Sequence, residues 1–194
     1  LHLCDHNLEK MGTTKSKARH DLLAEVCMAA KYEGESLTRF NPKYQATYGD
    51  SPSQICTMLA RSFADIGDII RGRDLFRGND EEKKKRDELD ENLKTIFKKI
   101  YEELKNGKTN GEAAKKRYEG DDNYYQLRED WWEANRETVW KAITCSEDLK
   151  NSSYFRGTCG DVKRPSWTND KCRCAGKNAD QVPTYFDYVP QYLR

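Results

Sequence analysis

The sequence predicts an all-α fold, a disulfide-stabilised helical bundle that ends in a long irregular tail rich in cysteine. Hydrophobic residues make up only 36% of the chain and charged residues 35%, which is the balance of helices that each bury one apolar stripe. Apolar residues recur at helical spacing in several long segments, and no segment gives a convincing strand signal. Four of the seven cysteines lie between Cys145 and Cys174, where the helical periodicity fades.

The first two helices are predicted from their apolar stripes and their boundaries. The first runs from about Lys15 to Arg39, and Asn41-Pro42 is predicted to stop it because a residue before proline disfavours the helical conformation. The second begins at Ser51-Pro52, with a capping serine and then a proline at the first helical position. Its stripe is predicted to end at Gly72 or Gly78.

The third helix has the strongest signals. Asn79 is predicted to cap it, and three acidic residues follow at the positive end of the helix dipole. Its broad apolar stripe continues to Leu104, and Asn106-Gly107 is the predicted stop. A length of roughly 39 Å follows from 1.5 Å per residue.

Two further helices are predicted before the tail. A short one spans about Glu112 to Glu119 between two glycines. A long one starts near Asp121-Asp122 and runs to about Thr144. Trp131 and Trp132 are adjacent in it, so their side chains point about 100° apart and are predicted to face different neighbours.

The cysteine count favours an oxidising compartment. All seven cysteines are disulfide candidates: Cys4, Cys27, Cys56, Cys145, Cys159, Cys172 and Cys174. The odd number predicts a free thiol or a partner outside this chain. No window is typical of a signal peptide or a transmembrane helix, so targeting and anchoring segments are expected elsewhere in a longer protein.

No pattern of catalytic residues is present, and no cofactor is predicted. The motifs of common hydrolases, phosphate-binding loops and zinc peptidases are missing. A thiolate metal site formed by Cys159, Cys172 and Cys174 is the alternative, and disulfides are the favoured interpretation. Asp65-Ile66-Gly67-Asp68 lacks the further acidic positions of a calcium loop and is predicted to serve a close helix contact, with Gly67 allowing the approach.

A basic segment provides the candidate binding surface. Between Lys83 and Arg117 there are 12 basic and 7 acidic residues. Such a segment can bind a sulfated glycan through counterion release, whereas the alternative is a solvated face balanced by acidic neighbours. The candidate contacts are Lys83, Lys84, Lys85, Arg86, Lys94, Lys98, Lys99, Lys105, Lys108, Lys115, Lys116 and Arg117.

Several sequence motifs, which follow one another along the chain, carry a family resemblance. They are residues 3–9 (LCDHNLE), 27–34 (CMAAKYEG), 60–69 (ARSFADIGDI), 131–136 (WWEANR), 139–145 (VWKAITC), 172–174 (CRC) and 185–194 (YFDYVPQYLR). Together they resemble the alpha class of Duffy-binding-like domains, which form the head of the erythrocyte membrane protein 1 of Plasmodium falciparum.

The resemblance implies a helical fold of three subdomains. Residues 1–50 would form the later part of the first, residues 51–194 would form most of the helical second, and the chain would be truncated at both ends. A structural core is implied for Phe63, Asp65, Ile66, Gly67, Asp68, Trp131, Trp132 and Trp140.

The resemblance also implies adhesion without catalysis. The expected partners are a receptor on red cells or endothelium, heparan-type or blood-group glycans in rosetting variants, and host antibodies, with no nucleic acid and no membrane insertion by this piece. The expected location is the outer face of the infected red-cell membrane. The alternative is a head scaffold that binds nothing itself, positions a neighbouring receptor-binding domain and varies its surface for immune evasion.

The family would pair Cys4 with a cysteine upstream, which leaves six. Cys172 and Cys174 are too close to pair easily with each other, so each is expected to tie the tail to the bundle. One scheme joins Cys56 to Cys159 and leaves Cys27 and Cys145 for the Cys-Arg-Cys pair. Another joins Cys27 to Cys56 and leaves Cys145 and Cys159 for the Cys-Arg-Cys pair.

Overall fold

Five α-helices and a tail of short helical turns make up the computed structural model, which describes residues 18–48, 52–75, 78–107 and 111–194. The described residues contain no strand beyond two isolated bridges, and the predicted all-α, disulfide-stabilised class is confirmed. The helices are α1 (Ala18–Tyr48), α2 (Pro52–Arg71), α3 (Asp80–Lys105), α4 (Gly111–Tyr118) and α5 (Tyr125–Ile143). The tail adds the 3₁₀ turns η1 (Glu147–Leu149), η2 (Gly176–Asn178), η3 (Phe186–Tyr188) and η4 (Gln191–Leu193).

The predicted end of the first helix is wrong. Helix α1 continues through Asn41-Pro42 to Tyr48. A proline inside a helix removes one backbone hydrogen bond and crowds the preceding turn, but it does not forbid helix. The residues on both sides of Pro42 therefore keep the helical conformation.

Helices α2 and α3 begin and end where local signals placed them. Helix α2 stops at Arg71, and Gly72 follows with φ of +71°, a left-handed conformation that glycine adopts without strain. At the start of α3, Asn79 accepts a hydrogen bond from the Glu82 backbone, and the Glu82 side chain accepts one from the Asn79 backbone. This reciprocal capping box satisfies two backbone donors that a helix start leaves open.

Helix α5 starts three residues later than the acidic pair that was predicted to open it. Its N-cap, Tyr124, has a left-handed backbone and supplies no side-chain cap. Asp121 takes over that role, since its two carboxylate oxygens accept hydrogen bonds from the backbone amides of Tyr125 at 3.0 Å and Gln126 at 2.8 Å. A carboxylate at this end also suits the helix dipole.

The core lies between α5 and the first three helices. Trp131 and Trp132 face different partners, as their 100° separation predicted. The Trp131 ring meets Phe97 of α3 edge-on at 6.2 Å, and the Trp132 ring meets Phe63 of α2 at 5.1 Å. The two adjacent tryptophans thus bind α5 to two helices at once.

Helix α1 crosses α5 at very close range. A Cβ added to Gly34 would lie 2.0 Å from the carbonyl oxygen of Ile143, so only glycine fits at this crossing. The division of the chain near residue 50 into two subdomains stays a prediction. None of the described helices is long and apolar enough to cross a membrane.

Candidate functional site

The predicted basic residues lie on the solvent side of α3 and on α4. Six of them pair with a carboxylate. Lys85 meets Glu81, Lys94 meets Asp90 and Glu91, and Lys105 meets Glu102. Arg86 pairs with Asp74, Lys115 with Glu112, and Arg117 with Asp130. Lys108 lies outside the described residues.

The remaining five cations have no ion-pair partner in the described part of the chain. They are Lys83, Lys84, Lys98, Lys99 and Lys116, and all five are exposed. Lys84 and Lys98 are separated by about 21 Å along α3, at 1.5 Å per residue, and by about 40° around its axis. We call Lys83, Lys84, Lys98 and Lys99 the open lysines of α3.

Acidic side chains alternate with these lysines along the same helix. Asp87, Glu88 and Glu91 lie between the two pairs of open lysines, and all three are exposed. The surface therefore has mixed sign. An anionic ligand would have to bind at the ends of α3 or displace the carboxylates from their positions.

The strongest surface pair joins α4 to α5. Arg117 donates two hydrogen bonds to Asp130, at 2.5 and 2.8 Å, and the Tyr118 hydroxyl donates a third at 2.8 Å. The hydrogen bond from Arg117, aided by those from Tyr118 and Gln126, lowers the pKa of Asp130 to about 2 against the opposing effect of burial. Arg117 is therefore a structural cation, with its charge already engaged.

A buried ionic network holds the tail to α2 and α5. Asp187 of η3 is 2% exposed and accepts hydrogen bonds from Arg136 at 2.7 and 2.8 Å and from the Trp132 indole at 3.0 Å. Arg71 donates to the backbone carbonyl of Asp187 and to Gly67 O at 2.9 Å. Burial of such a carboxylate is tolerated because both oxygens accept hydrogen bonds and a guanidinium group balances the charge.

The segment from Asp65 to Asp68 forms ion pairs that extend this network, and its glycine makes a close helix contact. A Cβ on Gly67 would lie 2.7 Å from the Trp132 ring. Asp68 pairs with Arg71 at 3.0 Å and with Arg194, while Asp65 pairs with Arg194 at 3.0 Å. Burial raises the pKa of Asp68, and the neighbouring guanidinium groups oppose that rise.

Of the two disulfides, Cys56–Cys172 differs from both pairing schemes, whereas Cys159–Cys174 agrees with the second scheme, which left Cys159 for the Cys-Arg-Cys pair. Cys56 of α2 bonds to Cys172, and Cys159 bonds to Cys174. Each member of the Cys-Arg-Cys pair thus pairs elsewhere, as expected, but the joining of Cys56 to Cys159 or to Cys27 is wrong. Neither bond includes Cys27 or Cys145, whose side chains are buried, and Cys4 lies outside the described residues.

The cysteines considered as a metal site are engaged in disulfides. Cys159, Cys172 and Cys174 are consumed in disulfides, so they offer no thiolate to a metal. Across residues 18–48, 52–75, 78–107 and 111–194, no three His, Cys, Asp or Glu side chains are grouped to hold a metal ion.

Four arginines are buried or nearly buried, and their burial was not predicted from the sequence. Arg71 and Arg128 are 1% and 0% exposed, and Arg136 and Arg194 have side chains that are 13% and 5% exposed. Arginine is rarely buried unless paired. The burial of Arg128 has a sequence signal, because Arg128 directly follows the apolar Leu127 and lies one helical turn before Trp131.

Comparisons with known proteins agree with this architecture. The family model described as the Duffy binding domain matches residues 1–194. The NTS-DBL1-alpha and CIDR-gamma double domain of the PfEMP1 protein from the Plasmodium falciparum varO strain is 43% identical, with a TM-score of 0.71 over 93% of this chain and 24% of its own length. The NTS-DBL1(alpha-1) domain from the same strain is 43% identical, with a TM-score of 0.69 over 99% and 40%.

A more distant relative is solved with a host protein. The PfEMP1 IT4var13 DBLbeta domain bound to ICAM-1 is 33% identical, with a TM-score of 0.57 over 90% of this chain and 35% of its own length. No curated protein matches significantly. The chain spans less than half the length of each of these solved relatives. The family match over the whole chain, the identities and the shared fold establish that the chain belongs to the Duffy binding domain family, as its alpha-class resemblance implied.

Proposed function

We propose that this chain is a host-cell adhesion module of a parasite variant surface antigen, displayed on the outer face of the infected red cell. The observation that carries the proposal is a division of the charged residues. Arg136 pairs with Asp187 and Arg194 pairs with Asp68 inside the fold, whereas the open lysines of α3 are exposed to solvent. The open lysines can therefore vary in sequence, or bind a ligand, without loss of the ion pairs that stabilise the fold.

The proposed ligand of this face is a sulfated or otherwise polyanionic glycan on a red cell or endothelial cell. Four exposed ammonium groups along one helix can each replace a counterion of such a chain. A DBLbeta relative bound to ICAM-1 supports host-receptor binding as a use of this fold.

The test is binding of the oxidised domain to a heparin column and to intact red cells across a salt series. Retention on both that falls as salt rises is the expected result. Binding to cells that is indifferent to salt, together with no retention on heparin, would contradict the glycan assignment.

A head scaffold is the second candidate, and the paired cations favour it. Six of the predicted contacts are already neutralised by carboxylates, which reduces the field that a ligand would meet. Pull-down on red cells by the chain with and without the domain that follows it separates the two. Binding that depends on the following domain alone identifies the scaffold.

A further inference from the structure

A rigid loop in the tail projects apolar and basic side chains away from the bundle. It comprises residues 160–167, and its residues 161–167 are all exposed. Val162 is 95% exposed and Trp167 is 64% exposed, whereas the other three tryptophans are at most 3% exposed. An isolated valine at a surface is ordinary, but an exposed tryptophan beside it in a fixed loop is the kind of feature that marks an interaction site.

The base of the 160–167 loop is fixed by covalent and hydrogen bonds. Cys159 is joined to Cys174. The backbones of Cys159 and Ser166 exchange two hydrogen bonds, of 3.0 and 2.7 Å, and the Gly160 amide donates to the side chain of Gln181 at 2.7 Å. The ends of the loop are therefore held at a set distance by the surrounding tail.

The tip of the loop is ordered by its own residues. Asp161 accepts a hydrogen bond from the Lys163 amide at 2.9 Å through its carboxylate, and its backbone carbonyl accepts one from the Arg164 amide at 3.0 Å. Asp161 is thus used inside the turn. A turn that is ordered before binding loses little conformational entropy when a partner binds.

Three cations elsewhere in the tail are held by ion pairs or by backbone carbonyls. Lys171 pairs with Glu147, Arg194 with Asp65 and Asp68, and Arg173 donates to backbone carbonyls of α5 and its C-cap. Within the described residues, Lys163 and Arg164 have no ion-pair partner. Arg156 precedes the loop and Lys177 lies beside its base, and both are also exposed.

We propose that the 160–167 loop is a receptor contact that inserts into an apolar cleft, rimmed by carboxylates, on a host-cell surface protein. This inference rests on the proposed adhesion function. It locates a contact in the tail, in a segment separate from the open lysines of α3. Trp167 and Val162 supply the apolar contact, and Lys163 and Arg164 meet the acidic rim.

A protein fits this loop better than a glycan does. Residues 161–167 are exposed together, and a projecting loop can bind by insertion into a concave protein surface, as long nanobody loops do. Tryptophan and arginine are the residues most enriched among binding hot spots of protein interfaces. A sulfated chain needs a row of cations, whereas the tip offers two cations beside three apolar residues, Val162, Pro165 and Trp167.

The experiment measures binding of the oxidised domain to intact red cells and endothelial cells by flow cytometry. The loop variants are Trp167→Ser and the double variant Lys163→Ser, Arg164→Ser. The matched control is Lys85→Ser, Lys115→Ser, which removes the same charge from lysines that already pair with carboxylates. Emission of the buried tryptophans and resistance to urea report that each variant is folded.

At least a tenfold loss of affinity is expected for each loop variant, with recovery of much of it in Trp167→Phe. Trypsin treatment of the cells should remove the share of binding that the loop variants lose, whereas heparinase should remove only the share that depends on the open lysines of α3. Equal binding by the loop variants, the control and the unmodified domain overturns the loop contact and leaves the adhesion function standing. Loss after heparinase alone overturns the protein partner. No binding of the unmodified domain to either cell type overturns the adhesion function and the loop contact together.

Discussion

The indole nitrogen of Trp132 donates a 3.0 Å hydrogen bond to Oδ2 of Asp187, a residue 55 positions further along the chain. The same carboxylate accepts two hydrogen bonds from Arg136. One buried side chain therefore connects the middle of α5 to the 3₁₀ turn near the end of the tail. The energetic weight of this connection is testable.

Replacing Asp187 with Asn is expected to destabilise the fold by about 3 to 5 kcal/mol, the cost of breaking a buried ion pair by removing one partner. The charge of Arg136 and the indole N–H of Trp132 would remain in a site without a matching anion. The measurement is urea unfolding at neutral pH. Asp180→Asn is the control, because Asp180 pairs with Lys141 while its side chain is 86% exposed, and a change under about 1 kcal/mol is expected there. Similar losses in both variants would refute the role of Asp187.

The close contact at Gly67 gives a second prediction. In Gly67→Ala the new methyl group would lie 2.7 Å from the ring of Trp132, which is fully buried. Overpacking of this kind costs about 1 to 3 kcal/mol. Gly157→Ala is the matched control, since its added Cβ would be 3.5 Å from the nearest atom, an ordinary contact. Urea midpoints of the two variants should differ clearly, and equal midpoints would count against a tight helix crossing.

The predictions that succeeded from sequence rest on neighbouring residues. The capping box of α3 is complete within Asn79 to Glu82, so four residues contain the signal. The different directions of Trp131 and Trp132, about 100° apart, follow from helix geometry alone. The end of α1 failed because the bias against helix before Pro42 is a preference that the rest of a long helix outweighs.

The pairings that failed join distant parts of the chain. Cys56 and Cys172 are 116 residues apart, and no local pattern indicates which cysteine approaches which. Asp187 lies in a short polar and aromatic phrase whose sequence gives no sign of burial. Its partners come from α2 and α5, so its role appears only when those helices are packed.

The two disulfides are expected to differ in their effect on stability. In the chain-entropy account, closing a loop of about 100 residues stabilises by roughly 4.7 kcal/mol and closing one of 15 by roughly 3 kcal/mol. The pair of substitutions Cys56→Ala, Cys172→Ala should therefore cost more than Cys159→Ala, Cys174→Ala, whose separation is 15 residues. Urea unfolding measures the difference, and peptide mapping under non-reducing conditions checks the pairing. Recovery of Cys56 linked to Cys159 or Cys27 would contradict the structure.

Acidification gives a prediction at Asp130. Its pKa in the fold is about 2 because Arg117 and Tyr118 donate hydrogen bonds to it, below the ordinary value of 3.8. A carboxyl group with a lowered pKa contributes stability that is present above the ordinary value and is lost as pH falls from about 4 towards 2. Asp130→Asn should lower stability at pH 7 and flatten the dependence on pH across that window. A titration of Asp130 by NMR with a midpoint near 4 would contradict the pairing.

The open lysines of α3 predict how binding responds to salt. Each cation that replaces a counterion on a polyanion contributes about one unit to the slope of log affinity against log salt concentration. Changing Lys83, Lys84, Lys98 and Lys99 to serine should therefore reduce the slope on heparin by up to about four units. The control changes Lys85, Lys94, Lys105 and Lys115 to serine, which removes the same net charge from lysines that already pair with carboxylates. A much smaller change of slope is expected in that control, and equal changes would show that net charge, rather than the exposed lysines of α3, governs binding.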